Sequence, residues 1–312
     1  MKHYLHINDL DSLQQTVQEA IELKKEPTQF KQLGAGKTIC LLFFNNSLRT
    51  RLSTQKAAIN LGLDTIVMNF GSEGWQLEFE EGAVMDQGKA EHVKEAAQVV
   101  SQYADIVAIR AFAGLTDKEA DEAELVLNAF KKYANIPVVN MESSVGHPLQ
   151  ALADAITLEE NKTEQKPKVV LSWAPHPRAL PHAVANSFVA MMKLQGADFV
   201  ITHPEGYELN PEVTKGCKIV HDQEEALKNA NFVYVKNWSN YQDYGKVKNT
   251  DSHWMMTKEK LGNAKFMHCL PVRRNVVVED AVMDSDQSLC MEQANNRTFA
   301  AQVVLKQLLK DL

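Results

Sequence analysis

The segment Phe43-Phe44-Asn45-Asn46-Ser47-Leu48-Arg49-Thr50-Arg51-Leu52-Ser53-Thr54 sets two arginines and four hydroxyls within eight residues, just after an apolar run. The spacing predicts a strand that ends in a helix, with Ser47 as the helix cap. Cations at a helix N-terminus oppose the macrodipole by about 0.3–1 kcal/mol each, so the arrangement is unfavourable unless an anion sits there. Backbone N–H groups, the Ser47 and Thr50 hydroxyls and the Arg49 guanidinium would together make a phosphate cradle. Taken alone, the segment reads equally well as arginines solvated on a surface helix. A second motif, Gly34-Ala35-Gly36-Lys37-Thr38, has the look of a nucleotide phosphate loop but fails it: Lys31 stands where a glycine is required, and the motif precedes a strand instead of following one. It reads as a turn.

The elements that must position such groups alternate between short β-rich runs and amphipathic helical stretches, the pattern of parallel βα units. In the first half we expect helix 11–25, strand 38–44, helix 50–61, strand 65–69, helix 91–102, strand 105–109, helix 117–133 and strand 137–141. In the second half we expect strands 168–173, 198–202, 218–220, 232–235 and 265–268, with a closing helix near 295–309. His147-Pro148 opens a connecting helix, proline suiting the first turn and Leu149, Leu152 and Ile156 marking one face. The expected fold is therefore α/β, with two parallel-sheet domains joined by an interdomain helix, divided as 1–146 and 147–312. Ligands of such sheets bind beyond the carboxyl ends of the strands. That places Arg110, Glu142, His147 with Gln150, His176, Arg178, Lys236, Cys269 and Arg273 among the residues to consider.

The 312 residues, 45% hydrophobic and 23% charged, suffice for two full cores and exclude a disordered scaffold. No apolar stretch is long enough for a membrane helix, and the first residues lack the layout of a signal peptide. The four cysteines lie far apart with no CxxC pair, which fits reduced cytoplasmic thiols and argues against a zinc site. A net charge of −7 argues against nucleic acid as a partner. Between residues 70 and 88 lies a loop far longer than the usual connection, holding Trp75, Glu78, Glu80, Glu81 and Asp86. An exposed tryptophan there calls for a partner surface.

Ser47-Leu48-Arg49-Thr50-Arg51 resembles the Ser-Thr-Arg-Thr-Arg carbamoyl-phosphate motif of the aspartate and ornithine transcarbamylases. His147-Pro148-Leu149-Gln150, with Asp154 following, and His268-Cys269-Leu270-Pro271 are similar to two further motifs of that family. The resemblance implies a first domain that binds carbamoyl phosphate, a second that binds the amine, a C-terminal helix packed back on the first domain, and a homotrimer with shared sites. It implies no cofactor and no metal. Ser47, Leu48, Arg49, Thr50, Arg110, His147, Gln150, Cys269, Leu270 and Arg297 would contact carbamoyl phosphate, Arg110, His147 and Gln150 gripping the carbamoyl group. Trp75 would reach a neighbouring subunit's site. Cys269 has no identifiable base beside it, so its implied role is positional, through the backbone carbonyls of Cys269 and Leu270.

The ordinary ornithine enzyme accepts the α-ammonium of ornithine with an Asp and a Ser-Met-Gly stretch, where this chain reads Lys236-Asn237-Trp238-Ser239. A lysine facing an ammonium is electrostatically wrong. With Glu142, His176, Arg178 and Arg273, Lys236 completes a set similar to that of the N-succinylornithine and N-acetylornithine transcarbamylases, which carbamoylate an Nα-acylated ornithine. At Ala90 the acetylornithine enzymes carry a glutamate and the succinylornithine enzymes a proline. An open, uncharged alanine does not repel a succinyl carboxylate, so N-succinyl-L-ornithine is the expected acceptor. N-acetyl-L-ornithine is the alternative should the neighbouring Glu91 occupy that place. An ornithine enzyme or an inactive homologue are further alternatives.

Overall fold

A computed structural model describes all 312 residues, which form two compact units. The first comprises Met1–Gly114, Glu119–Leu149 and Arg297–Leu312; the second comprises Leu115–Lys118 and Gln150–Asn296. The division thus falls at Leu149, inside the connecting helix, and the last residues of the chain belong to the first unit.

The first unit runs α1 (Leu13–Lys25), β1 (Thr38–Phe43), α2 (Arg49–Leu61), β2 (Asp64–Asn69), β3 (Leu77–Glu78), β4 (Glu91–His92), α3 (Val93–Tyr103), β5 (Ile106–Arg110), α4 (Lys118–Glu122), α5 (Leu125–Tyr133) and β6 (Val138–Glu142), with α4 beginning on the short strap that belongs to the second unit. Four strands make a parallel sheet in the order β2-β1-β5-β6. Residues Ile39–Phe43 are all buried, which is why this strand reads as an unbroken apolar run: both faces of a parallel sheet are covered. Its core joins Cys40, Leu42, Val107 and Ile109 of the sheet to Val93, Ala97, Leu127 and Phe130 of the helices. Strand order reverses between β1 and β5, whose last residues Phe43 and Arg110 are paired, so the crevice of this sheet opens beside them.

Helix α6 (Pro148–Asn161) leads into the second unit, which adds β7 (Lys168–Trp173), α7 (Ala183–Gln195), β8 (Asp198–Thr202), α8 (Pro211–Thr214), β9 (Lys218–Val220), α9 (Gln223–Leu227), β10 (Phe232–Lys236), α10 (Lys258–Leu261), β11 (Lys265–Met267), α11 (Asp280–Met283) and the start of α12 (Cys290–Leu309). Its parallel sheet has the order β11-β10-β7-β8-β9 and reverses between β7 and β10, where Trp173 pairs with Lys236. Val170, Val233, Val235, Phe266 and Val278 centre its core. No helix is long and apolar enough to cross a membrane.

Several expected elements are corrected. The helix expected over 117–133 is two helices, because Glu124 adopts a left-handed backbone (φ 46°) between them. The helix expected from Glu91 starts at Val93, since Glu91 and His92 pair with Leu77 and Glu78 and the His92 ring then accepts from the Lys94 N–H as a cap. The last helix begins five residues earlier than expected, at Cys290. Ser47 does not cap α2: Leu48 is the cap residue, already in right-handed helical conformation, and no side chain caps it.

Helix α2 ends at Gly62, whose φ of 80° and approach to the Lys31 carbonyl, 2.0 Å from where a Cβ would stand, demand glycine. Gly62→Ala is expected to destabilise the protein by at least about 1–2 kcal/mol. Urea denaturation checks this, a midpoint unchanged from wild type contradicting it.

Candidate active site

In the first unit the crevice is built around one buried ion pair. Glu142, at the end of β6, accepts from Arg110 Nε at 3.0 Å and lies 3.0 Å from Arg110 Nη2. The other arm of the same guanidinium, Nη1, donates to the Asn45 and Asn46 carbonyls at 3.2 and 3.1 Å, locking Arg110 to the loop that enters α2. Of the five N–H groups on Arg110, these contacts leave one, on Nη2, for a ligand. Asn45 Oδ1 in turn accepts from the Phe112 N–H, tying the same loop to the chain beyond β5.

On the other side of the loop, Arg297 Nη2 donates to Thr50 Oγ1 at 2.6 Å and stands 3.4 Å from His147 Nε2. An arginine can only donate, so as a hydrogen bond this contact requires Nε2 to accept, with the ring proton on Nδ1. The same Nε2 is 3.7 Å from Glu142. Arg110, Glu142, His147, Thr50 and Arg297 are all buried. Arg49 opens α2 beside them in sequence. Of the residues expected at the phosphate, Leu48 is exposed and offers its backbone alone. Glu142, expected to orient an amine substrate, is paired with Arg110 in this structure.

The long loop is more structured than its composition suggests. Strand β3 lies within it and pairs with β4 just beyond its end, Glu78 is gripped by Lys89 and by the Glu80 and Phe79 N–H groups, and Glu81 by Lys132 and Tyr133. Those donors hold both carboxyls down to about 2. Trp75 is exposed, its Nε1 donating to Glu91 at 2.9 Å. Ala90 is exposed, with its N–H on the Gln76 carbonyl.

In the second unit the end of β7 and the loop after β11 bring cations together. Arg273 Nε donates to His176 Nε2 at 3.1 Å, while His176 Nδ1 lies against the backbone of Arg178. Arg274 turns away to a bidentate pair with Asp284 and a bond to Asp280. Of the two adjacent arginines, only Arg273 therefore joins the cluster. Burial chiefly, and then the charges of Lys236, Arg273 and Arg178, hold the His176 imidazole below its usual range. Lys236 itself is buried at the end of β10. Around the next residue, Asn237, a shallow open depression is lined by His176, Arg178, Tyr207, Trp238, Lys246 and Asn249. Trp238 is fixed as its wall by donating Nε1 to the Tyr207 carbonyl and accepting from Trp173 Nε1 on its own carbonyl. Tyr207, Trp238, Lys246 and Asn249 were not foreseen as lining residues; for Tyr207 and Trp238 the only sign was an aromatic in a loop after a strand.

Gln150 and Cys269 also belong to this unit. Gln150 lies one turn before Asp154 on α6 and donates to its carboxylate at 2.7 Å. Cys269 and Leu270 follow β11, Leu270 in a left-handed backbone (φ 57°) that branched side chains seldom adopt.

Residues 2–160 match the family model described as the aspartate/ornithine carbamoyltransferase carbamoyl-P binding domain, and residues 181–308 match the Asp/Orn binding domain of the same family. The N-succinylornithine carbamoyltransferase of Bacteroides fragilis (strain 638R) is 46% identical, each chain covered in full. The N-acetylornithine carbamoyltransferase of Xanthomonas axonopodis pv. citri is 34% identical over 99% of this chain and 96% of its own. A crystal structure of acetylornithine transcarbamylase complexed with acetylcitrulline superposes with a TM-score of 0.93 at 33% identity, covering 99% of both chains. A glutamate-to-valine mutant of N-acetyl-L-ornithine transcarbamylase, complexed with carbamyl phosphate and N-succinyl-L-norvaline, superposes equally well over 99% of this chain and 100% of its own. With both domains matched in order and the strand-end clusters in place, the chain belongs to the aspartate/ornithine carbamoyltransferase family and is a carbamoyltransferase.

Proposed function

We propose that this enzyme transfers the carbamoyl group of carbamoyl phosphate to the δ-amine of N-succinyl-L-ornithine, giving N-succinyl-L-citrulline and phosphate in arginine biosynthesis. The observation that carries the choice of amine is the cation cluster of the second unit: buried Lys236 with His176, Arg178 and Arg273. Such a site repels the α-ammonium of free ornithine, and suits an acylated nitrogen without charge and a substrate with two carboxylates. Ala90 adds no charge of its own, and Glu91 is engaged by Trp75, which argues against Glu91 standing in for the glutamate of acetylornithine enzymes.

The reaction joins the amine nitrogen to the carbamoyl carbon and breaks the bond from that carbon to the phosphate oxygen, one amine proton leaving with the phosphate. Charge grows on the carbamoyl oxygen and on the departing phosphate, so fixed donors aimed at both lower the barrier. In this reading the first turn of α2, with Ser47, Arg49 and Thr50, holds the phosphate, and Arg297 braces Thr50. The remaining Arg110 N–H and the His147 ring proton serve the carbamoyl oxygen, Gln150 its amide, and the Cys269 and Leu270 carbonyls the amine. Neither a cofactor nor a metal enters these steps. All four cysteines are free, which suits a cytoplasmic enzyme. A homotrimer with shared sites is the assembly we propose, and the exposed Leu48, Leu52 and Trp75 give such an interface apolar surface.

Phosphate release with each acceptor tests the substrate. We expect N-succinyl-L-ornithine to be preferred over the acetyl compound and free ornithine to be inert, with Ala90→Glu shifting kcat/KM toward N-acetyl-L-ornithine by about 10-fold or more. A wild type that favours the acetyl substrate refutes the succinyl assignment.

His176 is expected to titrate below the ordinary imidazole value of about 6.5, and Arg273→Gln to raise it by removing a neighbouring cation. Because the depressed value favours the neutral ring in the folded state, any stability it confers is present above about 6.5 and lost as pH falls through the folded value. Histidine resonances followed by NMR against pH check this; a downward shift on removing Arg273 contradicts it.

Arg49→Ala and Trp75→Ala are each expected to abolish transfer in a folded protein, and to regain partial activity when mixed and reassembled. No recovery after verified subunit exchange would count against the shared site.

A further inference from the structure

We propose that Asp154 is a positioning residue that sets the amide polarity of Gln150 and, through Gln293, the backbone of His268-Cys269-Leu270. Nothing in the carbamoyl chemistry above calls on this carboxylate, yet it is fully buried within the second unit. A carboxylate there is unfavourable unless it is held by donors. One oxygen, Oδ1, accepts from two side-chain amides at once: Gln150 Nε2 at 2.7 Å and Gln293 Nε2 at 2.6 Å.

A glutamine amide is nearly symmetrical in shape but opposite in chemistry at its two ends. Oδ1 accepts both of these bonds, so both glutamines turn their nitrogen toward it and their oxygen away. For Gln150 this presents Oε1 as an acceptor, the polarity that an amide N–H₂ on the carbamoyl group requires. For Gln293, Oε1 is left to accept the His268 N–H at 3.0 Å. His268 Nδ1 accepts in turn from the Leu270 N–H at 2.8 Å. The chain of bonds therefore runs from α6 through α12 to the loop after β11 that carries Cys269 and the left-handed Leu270. A strained backbone persists only where its surroundings over-determine it, and these bonds do so here. Tyr234, also buried, lies beside both Asp154 and Cys269; burial first and these neighbours next hold its phenol well above its usual range.

The geometry separates two components of the role, acceptor and charge. The substitution Asp154→Asn keeps an oxygen that can stand where Oδ1 does and receive both glutamines, whereas Asp154→Leu, of similar size, leaves no acceptor for either.

The assignment rests on the carbamoyl-transfer reading, and its test separates the two. Asp154→Asn, Asp154→Leu and Gln293→Met are compared with wild type for kcat and KM with carbamoyl phosphate and N-succinyl-L-ornithine. Hydrogen exchange of the 265–272 segment is followed by mass spectrometry, with β8 as an internal reference, and kcat is referred to the folded fraction by circular dichroism. We expect Asp154→Leu to lower kcat by roughly 10²-fold while KM for carbamoyl phosphate changes less than about threefold, since a misplaced group costs turnover more than phosphate binding. Asp154→Asn should restore kcat to within about 10-fold of wild type. Both Asp154→Leu and Gln293→Met should speed exchange in 265–272 without speeding it in β8. Gln293→Met keeps the test alive should Asp154→Leu fail to fold. Turnover and exchange at wild-type level in Gln293→Met, or an Asp154→Asn as damaged as Asp154→Leu, overturns the assignment. Absence of transfer by the wild type overturns the proposed reaction instead, and the exchange result then decides the positioning role by itself.

Discussion

Arg110 and Glu142 end neighbouring strands with their side chains buried, and much of the first unit's crevice is arranged by that pair. Two opposite charges out of water gain from each other only when the geometry is good and their remaining hydrogen-bonding groups are satisfied. Here Glu142 takes two of the guanidinium's sides and the Asn45 and Asn46 carbonyls take the third. The cation is thereby attached to the loop that begins α2, so the position of the guanidinium and the entry of the helix are fixed together. Breaking a buried pair of this kind costs about 3–5 kcal/mol because it leaves a charge without its counterion. Arg110 is thus a structural member of its unit, and in the proposed reaction loss of function on its removal would have two physical sources.

The second unit solves a different problem, that of concentrating positive charge in a protein with a net charge of −7. It does so by aiming cations from different strand ends at one place while neighbouring cations are neutralised. Arg273 and Arg274 are adjacent, yet one bonds to a neutral imidazole and the other is absorbed by two aspartates. The neutral state of His176 matters, since a protonated ring could not accept from Arg273. In the function proposed above, selectivity for an acylated amino acid is then a matter of which charges remain uncompensated.

Residues that act through local pattern were legible in the sequence: the strands from their apolar runs, and Arg49, Thr50, His147 and Cys269 from motifs that stay together along the chain. What the sequence hid was pairing at a distance. Glu142 and Arg110 are 32 residues apart and meet only because β5 and β6 are neighbours. Asp154 and Gln293 are separated by 139 residues, and no spacing rule joins them. Local misreadings had local causes. Ser47 is a good cap by type, but the chain turns helical one residue later, and the break at Glu124 falls at a residue that itself favours helix, with Ala123 and Leu125 beside it.

The loop that carries Ala90 has a consequence for how enzymes of this kind diverge. Its shape is held by β3 and β4, by Trp75 on Glu91 and by Glu81 on Lys132, none of which uses the Ala90 side chain. A residue that faces solvent and bears no packing duty can be exchanged with little effect on folding, usually within about 0.5 kcal/mol. Drift at such a position is tolerated by the fold; with Ala90 in the specificity role proposed above, a lineage passes from one acyl group to another through stable intermediates, the scaffold conserved and the preference free to wander.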